Sequence, residues 1–366
     1  MTRTGTLSQP FHLVTEQPAP RFLGLPADER NQRLANRLSK TDAPHDAALP
    51  TLTIPSGAII TPTLLMSLPP PNGTWNLRWA ADRPPLVWQG PNATSDSEPT
   101  VGTLPEGAVL DVSTRAARRH AAWRLLRASG KPTDGWLSRH IHRKISRLFS
   151  YAFLQMGLSA NAATLFTFLV GAVTGWLMAQ TTRSTMIAGA ALFWFASVAD
   201  GIDGEMARLT FSDSQRGEQI DSVVDVATYI VAFAGVGVGW WRQGMGRDEL
   251  ALAVSVAIGL PATFVWAMRF VRAATGRVDM KLIEYGVAGA ARATGATALR
   301  MASIVFVLFR REAAALAFLL VSFVTADRAV YPALIASGLL IILATVVAYH
   351  DEIDREIRVR VNRTAA

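Results

Sequence analysis

The chain has 366 residues, half of them hydrophobic, a formal net charge of +8 and no cysteine. The lack of cysteine excludes disulfides and thiolate metal sites, so a metal would be bound through oxygen or histidine ligands. Because the positive charge accompanies long apolar segments, it favours a membrane protein with basic cytoplasmic loops over a nucleic-acid-binding protein.

Residues 1–130 are predicted to form a small cytoplasmic α/β domain. Their first twenty residues lack an apolar core, so no signal peptide is expected. Helices are predicted at 27–40 and 113–129, the second with Ser113 as its N-cap. Apolar and β-branched stretches predict four strands, at 51–54, 59–65, 75–79 and 108–112.

Residues 131–150 are predicted to form an amphipathic helix in the membrane interface. Four apolar residues recur there at helical spacing with basic residues between them: Leu137, Ile141, Ile145 and Leu148. An ordinary helix packed on the soluble domain is the alternative. His140 and His142 lie at i, i+2, which do not face each other on a helix, so interface positions are favoured over metal ligands.

The composition changes sharply near residue 150. For 151–350 we predict an all-α integral membrane bundle of six transmembrane helices, followed by a cytoplasmic tail at 351–366. Each apolar run is close to the ~20 residues that cross a bilayer. The runs fall at 161–180, 185–207, 218–241, 249–270, 312–327 and 330–349. The interrupted region 277–309 is predicted to hold a cytoplasmic helix or an extension of the fifth span.

Basic residues set the predicted orientation. Clusters precede the first span, follow the fourth and follow the sixth: Arg139, Arg143, Lys144, Arg147; Arg269, Arg272, Arg277, Lys281; and Arg355, Arg358, Arg360. All three clusters fall on one side, which the positive-inside rule identifies as the cytoplasm. We therefore expect a multi-pass protein of the cytoplasmic (inner) membrane with both termini in the cytoplasm.

Four carboxylates lie in or beside apolar segments: Asp200, Asp203, Asp221 and Asp225. An unpaired charge inside a bilayer costs at least ~2.5–3.5 kcal/mol, so a cation is expected to compensate them. On helices, Asp200 and Asp203 (i, i+3) share one face, and Asp221 and Asp225 (i, i+4) share another. This spacing predicts a carboxylate cage for Mg²⁺ or Mn²⁺, most simply a pair of ions, at the cytoplasmic mouth of the bundle.

Small residues accompany the carboxylates. Gly204 and Ala207 lie on the face of the first pair, and Gly217 lies on the face of the second. Small side chains let helices approach one another and leave room for a ligand. Aspartates at helix ends that simply face water would explain one or two of the acids, but not four at helical spacing.

The pattern D-x2-D-G-x2-A-R-x8-G-x3-D-x3-D resembles the signature of the CDP-alcohol phosphotransferases. The chain matches all eight fixed positions: Asp200, Asp203, Gly204, Ala207, Arg208, Gly217, Asp221 and Asp225. The resemblance implies a membrane enzyme that moves a substituted phosphate from a CDP-alcohol donor to the hydroxyl of an acceptor alcohol, with release of CMP. It also implies a homodimer formed through membrane helices.

Roles for the matched residues follow from this resemblance. Asp225 is expected to be the general base and also to contact metal, while the other three aspartates are the main metal ligands. The expected nucleotide-binding residues are Gly204, Ala207, Arg208 and Gly217. For Arg208, a side chain that only snorkels toward the cytoplasmic interface is the alternative.

The acceptor is less well defined. Arg269, Arg272 and Lys281 are candidates for binding a phosphorylated acceptor, although positive-inside anchoring accounts for them equally well. We expect CDP-diacylglycerol as donor and a role in phospholipid biosynthesis. The alternative is the synthesis of a soluble phosphodiester from a CDP-inositol-type donor.

Residues 1–130 carry a second, shorter resemblance. The stretch Val109-Leu-Asp-Val-Ser-Thr-Arg resembles the junction in proteins that fuse an inositol-phosphate cytidylyltransferase domain to a CDP-alcohol phosphotransferase. Gly24-Leu-Pro is similar to an early segment of that nucleotidyltransferase fold. Residues 1–22 contain no glycine-rich loop to cradle a triphosphate. A reduced, catalytically silent scaffold or regulatory domain is therefore expected.

Three other functions fit the sequence less well. Intramembrane prenyltransferases also use paired aspartates, but their motifs lie far apart in the chain. A cation transporter would distribute acids through the bilayer on several helices, whereas this chain concentrates them in one motif. A protein that serves mainly as an assembly partner would have no need of all four aspartates.

Overall fold

The computed structural model describes residues 11–16, 19–39, 49–91, 93, 98–130, 134–244, 246–275, 281–308, 311–325 and 330–365. The chain divides into two compact units. The first comprises Met1–Asp134, Lys144–Ala163 and Ile202–Gln215, and the second comprises Gly135–Arg143, Thr164–Gly201 and Arg216–Ala366.

The amino-terminal part of the first unit is built on short strands. These are β1 (His12–Thr15), β2 (Arg21–Phe22), β3 (Leu25–Pro26), β4 (Thr51–Ile54), β5 (Ala58–Ile60), β6 (Thr74–Arg78), β7 (Leu86–Gln89), β8 (Thr100–Thr103) and β9 (Val109–Asp111). A mixed sheet has the order β1-β4-β7-β6-β8, with β1 parallel to β4 and β6 parallel to β8. The pairs β2–β3 and β5–β9 form separate antiparallel ribbons.

Three helices accompany these strands: α1 (Ala27–Ser39), α2 (Pro62–Met66) and α3 (Arg115–Ala128). Alternation along β4 buries Leu52 and Ile54 completely, because successive strand residues point to opposite faces. Their side chains join a core that contains Leu34, Leu77 and Trp88. The prediction of a small α/β domain before the membrane helices is confirmed.

Two local predictions in this domain were wrong. The strand predicted at 59–65 ends at Ile60, and helix α2 begins at Pro62. Proline suits the first turn of a helix, because its fixed φ is helical and its missing N–H has no partner there anyway. The N-cap of α3 is Thr114 rather than Ser113, since the Thr114 side chain accepts a hydrogen bond from the backbone N–H of Ala117.

The sequence analysis also missed strands β1, β2, β3, β7 and β8. The β2–β3 hairpin turns at Leu23 and Gly24, both of which have positive φ, 50° and 81°. Two consecutive residues in that region are typical of a tight hairpin turn. A Cβ added at Gly24 would lie 3.0 Å from the carbonyl oxygen of Leu154, so this glycine also permits a close approach.

The predicted interfacial helix departs from regular α-helical geometry near its start. A π-helical turn at Ser138–His142 precedes α4 (Arg143–Gln155), and residues 131–133 lie outside the described residues. Polar residues at i+4 spacing are buried: Ser138, His142, Ser146 and Ser150. Ile141 and Leu148 are exposed. An exposed apolar face opposite a buried polar one is the arrangement that a helix lying on lipid requires.

Long helices follow: α5 (Ala160–Met178), α6 (Arg183–Thr210), α7 (Gln215–Arg242), α8 (Arg247–Thr275), α9 (Lys281–Thr294), α10 (Thr297–Leu308), α11 (Arg311–Val324), α12 (Val330–Ala348) and α13 (His350–Ala365). A helix occupies each position where a membrane span was predicted. The region 277–309 contains two helices, α9 and α10, where one was expected.

Among the described residues, three helical segments are long and apolar enough to cross a membrane: Ala160–Met178, Arg183–Thr210 and Gln219–Arg242. A fourth span is obtained if Ala336–Ala348 and His350–Val361, bent by 84°, are taken as one broken span. The prediction of membrane helices is supported to that extent, and the full set of six spans remains a prediction.

Helices α5 and α7 approach closely at glycines. A Cβ built on Gly235 would lie 2.2 Å from the backbone oxygen of Gly175, and one built on Gly175 would lie 2.5 Å from the Val231 side chain. Small residues permit such contact between membrane helices, where packing rather than hydrophobic exclusion drives association. Beside this contact, Phe193 of α6 packs edge-to-face on Tyr229 of α7, with ring centroids 5.3 Å apart.

We predict that Gly235→Ala lowers the thermal stability of the detergent-solubilised protein. The added methyl group collides with backbone, and such overpacking typically costs about 1–3 kcal/mol. Gly259 of α8 is the matched control, because a Cβ there meets nothing within 4 Å. Gly259→Ala should be neutral or stabilising by up to about 1 kcal/mol, the usual helical gain. Equal melting temperatures for the two variants would contradict the close approach of α5 and α7.

Candidate functional site

Helices α6 and α7 bring three of the predicted aspartates together. One carboxylate oxygen from each of Asp200, Asp221 and Asp225 lies within 4.8 Å of the others. Asp200 comes from α6, while Asp221 and Asp225 come from one face of α7, as their i, i+4 spacing predicts. All three side chains are half-buried, so water only partly screens their mutual repulsion.

The spacing of these oxygens fits a small hard cation. Mg²⁺ binds oxygen at about 2.1 Å, so two of its ligands on opposite sides are about 4.2 Å apart. Oxygens within 4.8 Å of one another can converge on one such ion after small side-chain rotations. Carboxylates are also the donors that Mg²⁺ and Mn²⁺ prefer. The residues present therefore fit a divalent cation, which would neutralise the three charges.

Asp203 lies one turn beyond Asp200 on α6 and is only 7% exposed. Its Oδ1 accepts a hydrogen bond from the backbone N–H of Gly204 at 2.5 Å. Among the described residues, the cluster of convergent carboxylates contains the other three aspartates. A metal-ligating role for Asp203 remains a prediction.

The predicted nucleotide-binding residues lie along the same two helices. Gly204 and Ala207 are half-buried on α6, and Gly217 is half-buried on α7. The guanidinium of Arg208 covers Gly204, where an added Cβ would lie 3.1 Å from its Nη1. Arg208 Nε donates a hydrogen bond to the backbone oxygen of Ser129 at 3.1 Å. Contact of these four residues with a nucleotide remains a prediction.

The structure says less about the residues predicted to bind the acceptor. Arg269 and Arg272 are exposed in the last two turns of α8. Lys281 begins α9, and its side chain lies outside the described residues, as does the whole of Arg277. Their role in binding an acceptor stays a prediction.

Sequence analysis overlooked Glu205, which lies inside the aspartate motif. Its side chain is fully buried, and its two carboxylate oxygens accept hydrogen bonds from the hydroxyls of Ser146 at 2.9 Å and Ser150 at 2.8 Å. The signal was present in the sequence as two serines at i, i+4 in a helix otherwise rich in basic residues. This bridge ties α4 to the motif-bearing end of α6.

The end of α6 is strained. Phe211 follows the helix with φ of 53°, and the backbone N–H of Ser212 bonds to the oxygen of Ala207 at 2.9 Å. This is a helix-terminating motif in which glycine is usual at the left-handed position. A bulky residue there costs roughly 1–2 kcal/mol. The Phe211 ring packs against the core of the first unit that contains Leu34 and Trp88, which offsets the strain.

These features define a class of protein: a helical membrane protein whose adjacent helices α6 and α7 present an aspartate centre suited to a divalent cation. Comparison with known families agrees. The chain matches the CDP-alcohol phosphatidyltransferase family over residues 158–349, more than half of its length, and it belongs to that family. The family resemblance predicted from the aspartate motif is confirmed.

Individual relatives cover less of the chain. It is 38% identical over 117 residues to the bifunctional IPC transferase and DIPP synthase of Archaeoglobus fulgidus, and 35% identical over 116 residues to that of Thermococcus kodakarensis. These matches cover 32% and 31% of this chain, and 23% and 26% of the two relatives. The phosphatidylinositol phosphate synthase of Mycobacteroides abscessus is 26% identical over 151 residues, 41% of this chain and 67% of the relative.

We predict that Mn²⁺ raises the melting temperature of the purified protein through the aspartate cluster. A ligand at 100 times its dissociation constant stabilises the folded state by about 2.7 kcal/mol. Asp221→Asn should abolish most of this increase, because it removes a charged ligand. Asp248→Asn, which changes an exposed aspartate near the start of α8, should retain it. Retention of the full Mn²⁺ effect in Asp221→Asn would place the metal elsewhere.

The buried bridge predicts a graded effect at Glu205. Glu205→Ala leaves the hydroxyls of Ser146 and Ser150 without their acceptor, and unsatisfied buried groups cost about 1–3 kcal/mol each. Glu205→Gln should cost less, because an amide can accept from one serine and donate to the other. Melting curves of both variants, beside the exposed Glu106→Ala as control, measure the effect. Equal melting temperatures in all three would show that the bridge contributes nothing.

Proposed function

We propose that this protein transfers a substituted phosphate from a CDP-alcohol to the hydroxyl of an acceptor alcohol and releases CMP. The observation that carries the proposal is the convergence of Asp200, Asp221 and Asp225 at the centre of the family's sequence motif. A diphosphate carries several negative charges, so a site built to hold divalent cations among carboxylates suits it. A bound metal ion would neutralise charge on the diphosphate.

The roles of the chain's own residues follow from their chemistry. Asp225 accepts the proton of the acceptor hydroxyl, whose oxygen attacks the β-phosphorus of the donor. The bond from that phosphorus to the bridging oxygen breaks, and CMP leaves with the oxygen. Arg208 contacts the phosphates, and the small residues Gly204, Ala207 and Gly217 let the nucleotide approach the helix backbones. Asp203 completes the metal-binding set.

For the donor, we propose CDP-diacylglycerol, which places the enzyme in phospholipid biosynthesis. A lipid donor suits a site carried on membrane helices, since its acyl chains remain in the bilayer. The relative named phosphatidylinositol phosphate synthase supports this choice. Its match covers 151 residues, more than the 117 and 116 of the other two relatives described above. The acceptor would meet the basic residues Arg269, Arg272 and Lys281.

A second candidate is the synthesis of a soluble phosphodiester from a CDP-inositol-type donor. The relatives named bifunctional IPC transferase and DIPP synthase are more similar to this chain, at 38% and 35% identity against 26%. That difference favours testing the soluble donor on equal terms. The matched segments span only about a quarter of the length of these relatives, so their names do not decide the donor.

The proposed setting is the cytoplasmic membrane. Both termini and the aspartate centre face the cytoplasm, which supplies soluble acceptors and receives CMP. The basic clusters that begin with Arg139, Arg269 and Arg355 support this orientation through the positive-inside rule. We further propose a homodimer, as the family resemblance implies. Exposed apolar residues such as Leu169 and Trp176 on α5 are available to lipid or to a second copy.

We predict acceptor-dependent CMP release by the purified protein in detergent with Mg²⁺ or Mn²⁺. The assay offers CDP-diacylglycerol and CDP-inositol, each against glycerol 3-phosphate, inositol, inositol phosphate and serine. Asp225→Asn should lower the rate by at least ~100-fold, the lower range for losing a general base, while sparing most of the binding of the CDP substrate. Asp248→Asn serves as the matched control.

The outcomes separate the candidates. Turnover with CDP-diacylglycerol supports the lipid donor, and turnover with CDP-inositol alone replaces it with the soluble one. Equal loss of binding and turnover in Asp225→Asn would make this residue a structural metal ligand rather than the base. Absence of both CMP release and CDP binding in the unaltered protein would overturn the proposal and favour a cation transporter.

A further inference from the structure

We propose that the amino-terminal domain is a positioning element for the aspartate centre: helix α1 clamps the segment that joins the two aspartate-bearing helices. This connecting segment comprises residues 208–213, the last turn of α6 and the start of the link to α7. The proposal rests on the transferase function proposed above. It assigns a task to a domain whose residues 1–22 contain no glycine-rich phosphate loop.

Three arginines on one face of α1 contact the connecting segment. Arg30, Arg33 and Arg37 are spaced i, i+3, i+7, which places them along a single stripe of a helix. Arg33 Nη1 donates to the backbone oxygen of Thr210 at 2.9 Å. Arg37 forms a two-pronged ion pair with Asp213, with its Nη2 2.8 Å from Oδ2.

The innermost of these contacts is buried. The guanidinium carbon of Arg30 lies 4.9 Å from the centroid of the Phe211 ring and 5.9 Å from that of Phe22, and Arg30 is only 3% exposed. Burial lowers the pKa of Arg30 to about 10, so it still carries its charge at neutral pH. A desolvated cation over an aromatic face is held more strongly than an exposed one.

A second contact fixes the beginning of the connecting segment. Arg208, one of the residues that match the family motif, donates from Nε to the backbone oxygen of Ser129, which is the C-cap of α3. A helix C-terminus carries partial negative charge, so it suits a guanidinium. The amino-terminal domain thus holds this segment at Arg208, Thr210, Phe211 and Asp213.

The strained backbone of Phe211 indicates that the surrounding contacts hold this residue in place. A glycine would adopt φ of 53° without strain, but it would have no ring to place against Arg30 and the core of the domain. Strained residues persist where the surrounding structure determines their conformation. The strained residue, Phe211, is also the residue of the connecting segment whose ring packs against the domain core.

The clamp can affect the reaction because the connecting segment is continuous with the two helices that carry the aspartates. Asp203 lies five residues before Arg208. Helix α7 begins at Gln215, two residues after Asp213 and six residues before Asp221. A segment fixed at four points leaves the ends of both helices less freedom. Small displacements of catalytic groups are costly, since misplacement by about 1 Å can slow a reaction roughly 100-fold.

The contacts are expected to differ in how strongly they hold the connecting segment. The Arg37–Asp213 pair is half-exposed, and such ion pairs contribute little by themselves. Arg30 is buried and the Phe211 ring is half-buried against it, so we expect this contact to contribute more than the ion pair. We therefore test the buried contact by truncation and the exposed contact by charge reversal, which replaces attraction with repulsion.

The first test uses Phe211→Ala in the full-length protein. We expect Mn²⁺ affinity, measured by electron paramagnetic resonance, to fall by about tenfold, a change within the range seen for coupling through residues that do not contact the ligand. CMP release should fall by at least as much. Phe211→Gly relieves the strain but also lacks the ring, so it should show the same defect. Restored affinity in Phe211→Gly would mean that strain, not the clamp, governs the site.

The second test is a charge exchange. Arg37→Asp should weaken Mn²⁺ binding, and Arg37→Asp combined with Asp213→Arg should recover it, because the ion pair is re-formed with opposite polarity. Arg119→Asp, on the exposed surface of α3, is the matched control with the same change of charge. If the double variant is no better than Arg37→Asp, or if the control is equally impaired, the proposal is overturned.

A merely structural role gives a different pattern. If the amino-terminal domain only stabilises the fold, the variants will have lower melting temperatures in the absence of metal. The protein that remains folded will then bind Mn²⁺ with unchanged affinity. The Mn²⁺ measurement also separates this proposal from the proposed function. Failure of the unaltered protein to release CMP refutes the transferase function, whereas the effect of the clamp on metal affinity is read independently.

Discussion

Mutual repulsion among the aspartates is the constraint on which the rest of the structure depends. Asp200, Asp221 and Asp225 place three carboxylates within 4.8 Å in a half-buried site, an arrangement that a bound divalent cation would stabilise. Two helices must approach closely for this cluster to form. Glycines such as Gly175 and Gly235 permit close packing of neighbouring helices, and the polar bridge at Glu205 fixes the end of α6 to α4.

The spacing of the aspartates and the periodicity of apolar residues were sufficient to predict the aspartate face of α7, the family and the positions of the long helices. The i, i+4 spacing of Asp221 and Asp225 correctly placed both on one face of α7, and the motif correctly indicated the family. Helices occur at every predicted span because apolar runs of about 20 residues have few other folds available in lipid. The number of helices that cross the membrane was harder to predict. Within the described residues, three segments are long and apolar enough to cross, or four if the bent pair is one span.

Local chemistry outside the motif was harder to predict. Short strands such as Leu86–Gln89 carry too few residues to show alternation, and the turn to a helix at Pro62 was mistaken for a continued strand. Contacts distant in sequence were invisible. Nothing in the order of residues pairs Arg33 with Thr210, which lies 177 positions away, or identifies Phe211 as the residue that leaves α6 with a left-handed backbone.

If Asp200, Asp221 and Asp225 bind a divalent cation, the metal should be visible among their carboxylates. An experimental structure of the full-length protein with Mn²⁺, determined from anomalous scattering at the manganese edge, would locate the metal without reference to activity. The account predicts an anomalous peak among these three carboxylates, with oxygens at about 2.1–2.2 Å, close to the Mg²⁺–oxygen distance. A structure with the three carboxylates ordered and manganese bound only at other residues would contradict it.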